Sequence, residues 1–103
     1  MRGVNPVHFP SSLGKNVELT EERRQHIFQY HPDLIPFFDR SGDVLIAPDG
    51  IRRTLDDPTV LLFYRFYPDI LNGKYLVVAI KVDDRSFILT AYLARRLKTG
   101  EPL

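Results

Sequence analysis

Hydrophobic positions change their spacing near the middle of the chain. Up to residue 47 they cluster at helical intervals, broken by prolines and acids; from residue 51 they alternate or run together in blocks bounded by Gly, Pro and Asp. The first pattern predicts helices and the second strands. The best helix start is Thr20, whose hydroxyl can accept from a free N–H of the first turn, with Glu21 and Glu22 placed to interact with the helix dipole. Its end falls at His31-Pro32, because the residue before a proline is pushed out of the α region, so the helix spans 20–30. A second helical region covers 33–47, with Pro36 near its first turn and a break at Ser41-Gly42. Strands are expected over 16–19, 51–55, 59–67, 74–82 and 86–93, with turns at Pro48-Asp49-Gly50, Asp56-Asp57-Pro58 and Asp83-Asp84-Arg85. Residues 1–12 read as an extended arm, residues 13–103 as one domain, and the tail from residue 94 as basic and then frayed.

Helices first and a β-meander after define an α+β protein, with N-terminal helices packed on one face of a four-stranded antiparallel sheet. Side chains two apart on a strand share a face, so alternation sorts the last two long strands. Leu76, Val78, Ile80 and Val82 with Phe87, Leu89, Ala91 and Leu93 form an apolar side, the expected core. Tyr75, Val77, Ala79 and Lys81 with Ser86, Ile88, Thr90 and Tyr92 form a mixed side, with Ala79 beside Thr90 and Val77 beside Tyr92. In the strand before them the register is open, so that either Tyr64 or Arg65 reaches the mixed side.

Composition narrows the classes. The 103 residues are 44% hydrophobic and 26% charged with a formal net charge of +1, which excludes a histone-like basic binder but not a local basic face. With no cysteine, disulfides, thiolate metal sites and a cysteine nucleophile are excluded. No apolar run approaches the roughly 18–20 residues of a membrane span, and the start lacks the apolar stretch of a signal peptide, so a cytoplasmic protein is expected. No Gly-rich phosphate loop occurs. His26 and His31 are five residues apart, the wrong spacing for two metal ligands on one helix face, and no metal or other cofactor is expected. The acidic pairs Asp56-Asp57 and Asp83-Asp84 have conformational reasons to sit in turns.

Histidine and arginine are the types with chemistry to offer. An imidazole exchanges protons near neutral pH, so His26 and His31 are acid–base candidates, set against a surface role for His26 and a helix-capping role for His31. Arg52 and Arg53 point to opposite faces of one strand. Arg65 interrupts Phe63-Tyr64-Arg65-Phe66-Tyr67, where a guanidinium suited to phosphate lies among rings able to stack on unpaired bases. The plainer reading is a core strand with one snorkelling arginine.

The helix motif Thr20-Glu21-Glu22-Arg23-Arg24-Gln25-His26-Ile27 with His31-Pro32-Asp33-Leu34, followed by Asp57-Pro58, Phe63-Tyr64-Arg65, Lys74-Tyr75-Leu76-Val77-Val78, Lys81-Val82 and Phe87-Ile88-Leu89-Thr90-Ala91-Tyr92, resembles the phage-type barnase–EndoU–colicin–RelE-like nuclease families. The resemblance covers about residues 17–98. It implies the RelE- or barnase-like α+β fold and metal-independent RNA cleavage, in which a ribose 2′-OH attacks the adjacent phosphate and a cyclic phosphate forms. By position it makes His26 and His31 the acid–base groups, Arg53 and Arg65 phosphate clamps with Lys81 behind them, and Thr90 the hydroxyl that orients the phosphate. Tyr64 or Tyr92 would stack on or bond to the substrate. The partners implied are an RNA substrate and a cognate inhibitor protein, with no membrane; an exposed strand edge would admit a homodimer. The competing expectation is a noncatalytic RNA- or protein-binding module on the same fold.

Overall fold

Thr20 does what its chemistry suggests. In the computed structural model, which describes residues 6–103, its hydroxyl accepts from the Arg23 N–H at 3.2 Å and starts helix α1, Glu21–Tyr30. The helix stops at His31, whose N–H closes the last turn on the Ile27 carbonyl at 2.8 Å. The next segment, Pro32–Arg40, is a 3-10 helix, and α2 follows at Ser41–Ile46. Pro36 has no N–H to give the carbonyl of Pro32, four residues back, which removes an α-type bond from the segment's middle. Among the described residues no helix is long and apolar enough to cross a membrane.

The strands are β1 (Val7–Pro10), β2 (Asn16–Leu19), β3 (Gly50–Thr54), β4 (Val60–Tyr67), β5 (Lys74–Val82), β6 (Ser86–Ala94) and β7 (Gly100–Pro102). They form one seven-stranded sheet in the order β1-β2-β6-β5-β4-β3-β7. All neighbours are antiparallel except β2 and β6, which run parallel over Val17↔Ser86 and Glu18↔Phe87. The expected helices on a four-stranded antiparallel sheet are therefore corrected to a seven-stranded mixed sheet with short helices. The extra strands come from segments that look like arm and tail. Both contain proline, Pro10 and Pro102, which an edge strand tolerates because an outward position needs no N–H. The first five residues of the expected arm lie outside the described residues.

The main core lies between the helices and one sheet face. Ile27, Leu34, Val44 and Leu45 pack on Leu61, Phe63, Leu76, Val78, Ile80 and Ile88, all buried. Leu76, Val78 and Ile80 take the expected side, but Phe87 and Leu89 do not. A bulge in β6 skips Leu89, so that Ala79 pairs with Thr90 while Ile80 pairs with Ile88. One extra residue reverses the facing of everything before it, which turns Ile88 and Ser86 inward and Phe87 to the other side. Past the bulge the expected neighbours hold: Ala79 with Thr90 and Val77 with Tyr92.

The second face is not open. Val60, Leu62, Val77 and Ala79 are buried there, packed by Tyr64, Tyr75, Leu89, Tyr92 and Leu97. Leu97 belongs to a strap, residues 95–99, that leaves β6 and crosses this face to reach β7 at the far edge. The Arg52 guanidinium fastens it by donating to the Lys98 carbonyl at 2.8 Å.

Phe63 is fully buried at the centre of the main core. Phe63→Ala should cost about 3–5 kcal/mol, a large part of the roughly 5–15 kcal/mol available to a domain of this kind. Urea denaturation should show a lower midpoint with an unchanged slope.

Candidate functional site

β-pairing places the side chains of the strapped face in rows, with neighbouring strands about 4.8 Å apart. One row carries His8, Glu18, Phe87, Lys81 and Val60. The next carries Thr90, Ala79, Leu62 and Arg52, and the one after it Tyr92, Val77, Tyr64 and Gly50. Thr90, Lys81, Tyr92 and Tyr64 thus share this face, as the mixed side of the alternation suggests. The open choice between Tyr64 and Arg65 is resolved for Tyr64, which pairs with Val77; Arg65 pairs with the core residue Leu76.

Helix α1 borders this face. β2 pairs with only the start of β6, and the chain then continues as α1 packed against β6. Arg23, Ile27 and Tyr30, with His26 between, recur at the spacing of one helix flank. Ile27 of that flank is buried, and the Arg23 guanidinium donates to the Leu89 carbonyl at 3.1 Å, on the bulged residue itself. The His26 ring lies 4.8 Å from the Tyr30 ring, and the His31 ring 5.8 Å from the Tyr92 ring. Burial pushes the Tyr92 phenol up, so it keeps its proton, and remains a donor, through neutral pH. Thr90 Oγ1 is buried with no hydrogen-bond partner among the described residues, because its cross-strand neighbour is an alanine. Ser41 Oγ and Tyr67 OH share that state elsewhere in the molecule.

The two arginines expected to clamp phosphate are not in this group. Arg53 pairs with the core residue Leu61, so it faces the helix side, and its Nε donates to the Pro58 carbonyl at 3.1 Å. Arg65 lies on that side too, its guanidinium 5.3 Å from the Tyr67 ring centroid. Arg52, on the strapped face, stands 5.5 Å from the Tyr64 ring centroid. Ile51 carried the signal: a core-facing isoleucine puts Arg53 on its own side and Arg52 opposite. Arg23 was legible as the residue one helical turn before His26.

Lys81 reaches the strapped face but is occupied. Its Nζ donates to Asp57 Oδ2 at 2.9 Å, while Asp57 Oδ1 accepts from the Thr59 hydroxyl at 2.6 Å and the Thr59 N–H at 3.0 Å. At the other end of the row, Glu18 accepts from Arg85 at 2.9 and 3.0 Å and lies 3.6 Å from His8 Nε2, beside a shallow groove also lined by Lys15, Asp83 and Asp84. Among the described residues no three His, Asp or Glu side chains are grouped to hold a metal ion. Comparison of the chain with models of protein families, with curated proteins and with solved structures gives no match.

The Thr59 hydroxyl, then Lys81, then the Thr59 N–H hold the Asp57 carboxyl down from 3.8 to about 2. A value below that of the unfolded chain means that the ionised group stabilises the fold above about pH 4, and that this contribution is lost as the pH falls towards about 2. Asp57→Asn should flatten that acid limb when urea midpoints are plotted against pH, and leave the slope above pH 5 roughly unchanged.

Proposed function

We propose that the chain is a toxin-like endoribonuclease that cleaves RNA by 2′-OH attack without a metal ion. The observation that carries this reading is the alignment of His31, Tyr92 and Thr90 at the β6 border, with Arg23 and His26 on the adjoining flank of α1. The reaction needs a base, an acid and donors for the phosphate oxygens. One imidazole takes the 2′-OH proton, and the 2′ oxygen attacks phosphorus. The 5′ oxygen leaves with a proton from the second imidazole, and a 2′,3′-cyclic phosphate remains. His26 is supplied from the α1 flank, its ring against Tyr30, and His31 from the end of the helix, its ring near Tyr92. The protonated Tyr92 phenol supplies a donor and Arg23 supplies positive charge beside it, while the buried, unpaired Thr90 hydroxyl lies two residues earlier on the same strand. The resemblance of the helix motif and the Thr90-Ala91-Tyr92 strand to the nuclease families supports the same assignment.

A second reading, a noncatalytic RNA- or protein-binding module, is favoured by Arg53 and Arg65, which lie on the other side of the sheet and engage a carbonyl and a ring. Single-stranded RNA incubated with the protein in EDTA separates the two. The nuclease reading expects fragments ending in cyclic phosphate, a loss of roughly 10²-fold or more in His31→Ala and in His26→Ala, and a smaller loss in Thr90→Val. RNA that stays intact while binding the protein supports the module and rejects the nuclease.

A further inference from the structure

Beyond Tyr92 the strapped face ends in a group of rings at the margin of its buried patch, with Tyr64 and Tyr75 packed against that patch and Phe66 outside it. Phe66 and Tyr75 are cross-strand partners whose ring centroids lie 5.2 Å apart at 67°, and Tyr64 meets Tyr75 at 6.0 Å and 78°. Phe66 is 44% exposed, so its ring is open to a ligand. Glycines make the space. A Cβ on Gly73 would lie 2.9 Å from Phe66 Cζ, and one on Gly50 would collide with the Tyr64 hydroxyl. The backbone is therefore cleared for these rings.

Positive charge gathers beside them. Arg95 and Arg96 follow Ala94, the cross-strand partner of Tyr75, and both are exposed, as is Lys98. Among the described residues none of the three has a carboxylate within 4.0 Å. Asp49, at the margin, is engaged by the Phe66 N–H at 2.7 Å. In a chain of net charge +1 this grouping is a matter of placement rather than of overall excess. An exposed phenylalanine and a half-buried tyrosine beside unpaired guanidinium groups suit a strand whose bases are free to stack while its phosphates meet the cations; a duplex hides the faces of its bases.

We propose that Phe66 and Tyr75, with Arg95, Arg96 and Lys98, form a stacking platform for single-stranded RNA beside the site at Tyr92, an inference that rests on RNA being the substrate. The rings of the platform lie one and two strands, roughly 5–10 Å, across the sheet from β6. It would hold bases flanking the scissile bond.

The chain has no tryptophan, so Phe66→Trp installs a single indole on the platform. Titration with a short single-stranded 2′-O-methyl oligonucleotide, which has no 2′-OH to react, should quench that indole, while the same sequence as a duplex should not. Leu55→Trp, at an exposed position between β3 and β4, should stay unquenched. Phe66→Ala should weaken binding about five-fold or more by fluorescence anisotropy, with an unchanged circular dichroism spectrum. If wild type cleaves RNA but Phe66→Ala binds the oligonucleotide as well as wild type, the platform is overturned and the nuclease stands. If quenching and the Phe66→Ala loss occur without cleavage, the platform stands and catalysis falls. A wild-type protein that does not bind the oligonucleotide overturns the platform outright.

Discussion

The bond from Arg23 to the Leu89 carbonyl holds together the two parts of the molecule that matter most to each other. At Leu89 strand β6 falls out of step with β5, and a bulge of this kind leaves a main-chain group without its ladder partner. A guanidinium from α1 meets that carbonyl, so the irregularity becomes the point where the helix is tied to the sheet edge. A charge-assisted hydrogen bond of this type contributes about 1.5–3 kcal/mol. Its positional effect is larger. It fixes the flank of α1 that carries His26 alongside the strand that carries Thr90 and Tyr92.

The bulge also reconciles two patterns that a regular strand would set against each other. Ile88 and Ala91, three apart, both pack in the main core, while Thr90 and Tyr92 face the other way. Without the extra residue, either Ile88 would face the strap or Thr90 would lie under the helices. The inserted position thus lets one strand complete a core and furnish polar groups to the opposite face.

Much of this was readable from the chain. The Thr20 cap, the stop at His31-Pro32 and the central strands follow from local rules of capping, proline geometry and alternation. Val77 beside Tyr92 and Ala79 beside Thr90 follow from hairpin pairing. The facing of Phe87 and Leu89 did not, because a bulge leaves no mark in the order of apolar residues. Nor did β1 and β7: short proline-bearing segments look like loops until a neighbouring strand supplies the other half of their hydrogen bonds. The site shows the same division. Thr90, Tyr92 and Lys81 were placed on the mixed face by period alone, while the choice between Tyr64 and Arg65 stayed open until the pairing of β4 with β5 decided it. Arg53 and Arg65 were not, since only the pairing of β4 with β5, and the inward facing of Ile51, decide which arginine goes where.

The strand order has one more effect. The first and last strands to be made, β1 and β7, sit at opposite rims, and the strap reaches its rim by passing over a buried apolar patch. Leu62 and Val77 therefore stay uncovered on this side until the strap, which follows every strand it lies over, has been laid across them. The two faces of the sheet are unequal in this respect: helices that precede the meander cover one, and a segment that comes after it covers the other.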